Sequence, residues 1–160
     1  MCLGLEVATA GAIEADDART AAPQPVLDGR SVLVVDDDAM VRGAFIGALT
    51  RLGCRAFGIG TIADAIGQAR RVQPDAAVVD YRLRDGATGL DAIVRLREVV
   101  PGLPVVMVSA DADQDLRART AQLDIALLRK PIDAMRLGEA LVAALEARAA
   151  LAPMAEEGAR

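Results

Sequence analysis

The sequence predicts an α/β fold, one open sheet of five parallel strands doubly wound with helices on both faces. Two observations carry this expectation. Short β-branched apolar runs alternate five times with longer stretches whose apolar residues recur at helical spacing, the pattern of parallel strands joined by crossover helices. The chain has 160 residues, 53% of them hydrophobic, which is enough apolar surface for one self-sufficient core and short for two.

Residues 30–149 are expected to form the folded domain. Residues 1–29 mix Ala, Gly, Thr and acidic residues with Pro23 and Pro25 and hold no period, so they read as a flexible N-terminal extension. The first strand is expected over Ser31–Val35, followed by a helix with Val41, Phe45, Ala48, Leu49 and Leu52 on one face and a stop at Gly53. The second strand spans 54–58. Thr61 then caps a helix carrying Ile62, Ala65, Ile66, Ala69 and Val72, which Pro74 ends. The third strand runs over 76–79 and ends on Asp80. A glycine-containing loop over 81–89 leads to a helix with Leu90, Ile93, Val94 and Leu96, stopped by Pro101-Gly102. Strand four is 104–108, a polar helix covers 112–122, strand five is 125–128, and Asp133 opens a last helix through about Ala149. Residues 150–160 are left as a C-terminal tail.

Composition removes several function classes. Phe45, Phe57 and Tyr81 are the only aromatics and the net charge is −5, so neither a base-stacking surface nor a basic phosphate-binding patch is available, and direct nucleic-acid binding is not expected. The absence of histidine excludes any mechanism needing an imidazole of the chain's own. Cys2 and Cys54 make no disulfide framework. The first 13 residues lack a basic start and are broken by Glu6, and no apolar run is long enough to span a membrane, so the chain reads as cytoplasmic. Gly58-Ile59-Gly60 lacks the fuller glycine fingerprint of a dinucleotide site and reads as a turn.

In a doubly wound sheet ligands sit beyond the carboxyl ends of the strands. That rule selects Asp36, Asp37 and Asp38 after strand one, Asp80 after strand three, Ser109 after strand four and Lys130 after strand five. Carboxylates converging from two strand ends repel one another unless a cation holds them together. Magnesium suits such hard oxygen ligands, whereas the lack of histidine and the distant cysteines argue against zinc. A lysine and a hydroxyl in the same pocket match the charge on the oxygens of a transferring phosphoryl group. Taken alone, the acidic triplet would be a solvated helix cap, Ser109 another cap and Lys130 a surface charge; their joint placement at strand ends reverses those readings.

The segments VLVVDDD (32–38), VVDYRL (78–83), VVMVSA (105–110) and RKPI (129–132), in this order, resemble the response-regulator receiver domains of two-component signalling. The likeness is to chemotaxis-regulator-like receivers over residues 30–149, and LDGRSVLVVDDD (27–38) is also similar to receivers attached to hybrid histidine kinases. The resemblance implies a flavodoxin-like (βα)5 receiver fold with Asp80 as phosphoacceptor, assisted by Ser109 and Lys130. It also implies Mg2+ held by Asp36, Asp37, Asp80 and the backbone carbonyl of Arg82, a small Ala110 beside the phosphoryl group, and a cis Lys130–Pro131 bond. The implied function is that of a single-domain response regulator. It would take its phosphoryl group from a histidine kinase or phosphotransfer protein and switch its protein–protein interactions, with the downstream protein target unspecified and homodimerisation left open. Such a protein is a phosphoacceptor with slow autodephosphorylation and not a conventional enzyme. The alternative is a degenerate receiver serving as a constitutive interaction or dimerisation module.

Two departures from the family pattern support that alternative. The loop RLRDGATG (82–89) lacks the common proline and is one residue longer, and Leu127 stands where an aromatic residue often switches rotamer. Output is therefore expected to use loop or helix movement around Ser109. Charge placement adds one more expectation, that Arg82 and Asp111 pair over the phosphoryl site.

Overall fold

The computed structural model describes residues 26–158, with side chains through Leu151. Five strands, β1 (Ser31–Val35), β2 (Arg55–Ile59), β3 (Ala76–Asp80), β4 (Val105–Ser109) and β5 (Ala126–Arg129), pair in parallel in the order β2-β1-β3-β4-β5. Between and after them lie helices α1 (Ala39–Arg51), α2 (Ile62–Val72), α3 (Gly89–Val99), α4 (Gln114–Gln122) and α5 (Ala134–Gly158). This is the five-stranded, doubly wound arrangement the sequence predicts.

Strand parity divides the core into two layers, because successive side chains point to opposite faces. Val32, Val34, Val78, Val106 and Val108 meet Phe45 and Leu49 of α1 and Leu137 and Leu141 of α5. On the other face Leu33, Val35, Val79, Val105 and Met107 pack with Ile66 of α2, Ile93 and Leu96 of α3 and Leu116 of α4. β1, β3 and β4 are buried along their whole length, which is why their apolar runs are unbroken.

Several boundaries differ from expectation. Strands β2, β4 and β5 each lie one residue later than their apolar runs suggest. The amide of Cys54 is bonded back to Leu49, that of Ile125 back to Thr120, and Pro104 has no N–H, so each ladder starts one residue on. The domain also begins before residue 30: Leu27 is fully buried beside Leu52, and Gly29 N–H bonds the Gly53 carbonyl at 2.9 Å. The rest of the proposed extension, residues 1–25, lies outside the described residues. Gly58 belongs to β2 and not to a turn, paired with Val34, and a Cβ there would lie 2.6 Å from Ile46 Cδ1. Finally, α5 continues to Gly158 through the segment assigned to a tail: the Ala-rich stretch 142–152 has high helix propensity and no glycine, and the helix runs on past Pro153.

Gly89 opens α3 directly under the end of β3, where an added Cβ would lie 2.5 Å from the Asp80 carbonyl oxygen and 3.1 Å from Tyr81 Cα. Backbone cannot yield there as a flexible side chain can. The Gly89→Ala variant is therefore expected to lose about 1–3 kcal/mol in urea denaturation. Gly67→Ala, in the exposed and open middle of α2, should gain about 0.5–1 kcal/mol in the same assay. Equal midpoints for the two variants would contradict this packing.

Candidate functional site

The sheet order places β3 between β1 and β4, so the residues after β1, at the end of β3 and at the end of β4 meet at one edge. The register sets the depth. Val35 pairs with Val79 and Asp80 with Val108, which brings Asp36 beside Asp80 and Ser109 one step past it. Ser109 pairs with Arg129, and the Lys130 amide donates to the Ser109 carbonyl at 2.8 Å, bringing the lysine to the same edge. The Lys130–Pro131 bond is cis.

The acidic triplet has divided its duties. Asp38 caps α1, accepting from the amides of Met40 and Val41. Asp36 is buried, accepts the Asp38 amide on Oδ1 at 2.9 Å, and leaves Oδ2 buried without a hydrogen-bond partner. Asp37 is half-buried and takes Arg84 Nε on Oδ2 at 3.2 Å. Lys130 Nζ lies 2.8 Å from Asp80 Oδ1 and 3.9 Å from Asp36 Oδ2. One carboxylate oxygen from each of Asp36, Asp37 and Asp80 lies within 4.8 Å of the others. Burial, reinforced by the neighbouring Asp80 and Asp37 charges, pushes the Asp36 carboxyl up to about 6 against the opposing effects of the Asp38 amide and Lys130.

Ser109 is buried, and its Oγ accepts the Asp111 amide at 3.2 Å. Ala110, which follows it, is exposed and carries only a methyl side chain. Arg82 and Asp111 do pair, Nη2 to Oδ2 at 2.6 Å, and both are largely exposed. The loop after β3 folds back on itself through a one-turn 3-10 segment, Arg84–Gly86, with Asp85 at φ 62° and Gly86 at φ 76°. An isolated bridge between Arg82 and Thr88 closes it. Leu127 is partly buried in β5, paired with Met107.

Sequence reasoning did not anticipate two supports. Arg42 Nη1 donates to the Asp36 carbonyl at 2.7 Å and pins the chain leaving β1, while Gly58 and Gly60 leave room for that side chain. Arg84 reaches Asp37 across the pocket. The glycines around Ile59 were the available signal for Arg42; the contact of Arg84 depends on the loop's fold and has none.

A doubly wound sheet with three carboxylates, a hydroxyl and a lysine gathered at its carboxyl edge defines the class of flavodoxin-like proteins that bind ligands beyond the strand ends. Within that class, the chain belongs to the response regulator receiver domain family, whose model matches residues 32–142. It is 41% identical over 98 residues to the probable transcriptional regulatory protein TcrX of Mycobacterium tuberculosis, covering 61% of this chain and 40% of TcrX. It is 26% identical over 115 residues to the chemotaxis protein CheY of Thermotoga maritima, covering 71% of this chain and 95% of CheY. The crystal structure of a response regulator receiver protein from Sinorhizobium medicae superposes with a TM-score of 0.67 at 28% identity, covering 76% of this chain and 98% of that one.

Receivers are two-component signalling domains that characteristically take phosphate on an aspartate, bind Mg2+ at an acidic pocket, and work with histidine kinases or phosphotransfer proteins. They are phosphoacceptors and not classical enzymes. The donor set here fits the ion: the oxygens are hard, converging and partly buried, and Asp36 Oδ2 has no hydrogen-bond partner. Among the described residues no helix is long and apolar enough to cross a membrane.

The raised Asp36 carboxyl has a consequence for stability. Its folded value lies above the ordinary 3.8, so between about pH 4 and 6 this carboxyl holds more of its proton in the folded chain than in the unfolded one, and its contribution to stability falls as pH rises through that window. An upper bound on the loss is about 3 kcal/mol, at ~1.4 kcal/mol for each pH unit between the unfolded and folded values. In EDTA, urea denaturation is expected to show Asp36→Asn free of this fall and more stable than wild type above pH 6. Parallel pH profiles for the two proteins would refute it.

Proposed function

We propose that this chain is a phosphorylation-controlled protein-interaction switch in the cytoplasm, with Asp80 as the acceptor and a histidine kinase or phosphotransfer protein as the donor. The observation that carries the reading is the convergence of Asp36, Asp37, Asp80 and Lys130 on one pocket from the ends of three strands. A carboxylate oxygen of Asp80 forms the new P–O bond as the P–N bond of the partner's phosphohistidine breaks, and the electron pair returns to the partner's imidazole. Lys130, already 2.8 Å from Asp80, is positioned to neutralise a phosphoryl oxygen as a point charge. The Ser109 hydroxyl, whose oxygen is occupied as an acceptor, has its proton to donate to another. Bound by Asp36, Asp37, Asp80 and the Arg82 carbonyl, Mg2+ supplies charge neutralisation for the transferring group. With Leu127 in place of an aromatic, the response is carried by the loops around Ser109 and Arg82, which changes affinity for a protein target.

Incubation with Mg2+ and a small acyl or amidyl phosphate donor is expected to give a phosphoryl adduct by intact mass, absent in Asp80→Asn and without added Mg2+. No adduct in wild type, beside an active receiver as control, would favour the constitutive interaction module. Arg82 and Asp111, each two residues beyond a strand-end site residue, pair at 2.6 Å, and on this reading the pair restricts approach of hydrolytic water. Arg82→Ala should therefore lose its phosphoryl group several-fold faster than wild type in a dephosphorylation time course, and equal rates would end that assignment.

A further inference from the structure

All three pocket carboxylates face a cation from the chain itself, Lys130 for Asp80 and, at 3.9 Å, Asp36, and Arg84 for Asp37, and the two cations differ. Lys130 on Asp80 is mostly enclosed, at 19% exposure; Arg84 on Asp37 is 75% exposed. Arg84 stands at the start of the folded-back 3-10 turn, in the loop whose extra residue departs from the family pattern, and it reaches from the exit of β3 to the exit of β1. Its contact is a single Nε–Oδ2 bond of 3.2 Å, without the two-pronged geometry by which a guanidinium clamps and orients a carboxylate.

We infer that Arg84 is a built-in competitor for the divalent cation: its contact with Asp37 and occupation of the metal site oppose each other, so that Arg84 sets the metal affinity. The inference rests on reading the acidic pocket as the metal site. A dication coordinated by Asp37 withdraws the charge that holds the guanidinium and repels it. An exposed pair is weak enough to be displaced. Displacement frees the 84–86 turn from the β1 side, while Arg82 still ties the loop to Asp111 on the β4 side. Metal occupancy thus changes the freedom of one flank of the pocket and not the other.

The test is titration of the full chain with MgCl2, followed by amide and arginine Nε–H signals in 1H–15N NMR spectra. In wild type the Arg84 Nε–H signal is expected to shift with the same midpoint as the amides around Asp80. Arg84→Gln should bind Mg2+ about two- to fivefold more tightly, the factor an exposed ion pair can contribute. Arg129→Gln removes an equal charge from the same sheet edge, at an exposed residue paired with Ser109, and should change the midpoint much less. An unchanged or weaker affinity in Arg84→Gln, which would make Arg84 an orienting group, overturns the inference, as does equal tightening by Arg129→Gln. Absence of any Mg2+ response in wild type is a different failure, that of the pocket as a metal site.

Discussion

Three carboxylates with oxygens within 4.8 Å of one another at a sheet edge repel, and the groups packed around them offset part of that repulsion. Lys130 takes up part of the charge at 2.8 Å from Asp80, and the Asp38 amide satisfies one oxygen of Asp36. Asp36 Oδ2 has no hydrogen-bond partner, and burial first, then the Asp80 and Asp37 charges, raise the Asp36 carboxyl. Converging, partly buried carboxylate oxygens of this kind suit a hard divalent cation.

Holding such a cluster requires rigid surroundings. β3 is buried throughout between β1 and β4, with apolar layers on both faces, so Asp80 cannot retreat from Asp36 without breaking the ladder. The close seating of Gly89 under the Asp80 carbonyl and the grip of Arg42 on the Asp36 carbonyl fix the backbone on both sides. The weakly held contacts are the exposed arginine ion pairs of the loop after β3, which can exchange at little cost. Rigidity in the strands and exchangeable contacts in the loop suit the proposed switch, which has no aromatic residue at position 127.

The fold and most of the site were legible because both follow from periodicity and from the rule that ligands sit at strand ends. Asp36, Asp37, Asp80 and Lys130 came from that rule and the structure brings them together, with Ser109 ending the neighbouring strand one step past Asp80. The Arg82–Asp111 pair was legible for the same reason, each residue lying two beyond a strand-end residue. The strand limits were less so, because apolar runs do not reveal that the Cys54 and Ile125 amides are bonded back to the preceding helices. Leu27 was hidden behind the prolines that precede it, although it packs in the core.

Hydrophobic spacing by itself determined the class, the order of elements and the set of groups at the carboxyl edge, since each is a local property of the chain or follows from parallel topology. Tertiary structure alone decided how the three consecutive aspartates divide. Asp38 turns to the helix, Asp36 into the interior and Asp37 toward Arg84, 47 residues away. Adjacent identical residues are indistinguishable in a sequence; only the direction each side chain takes from a folded backbone, and the burial it meets there, gives them different chemistry.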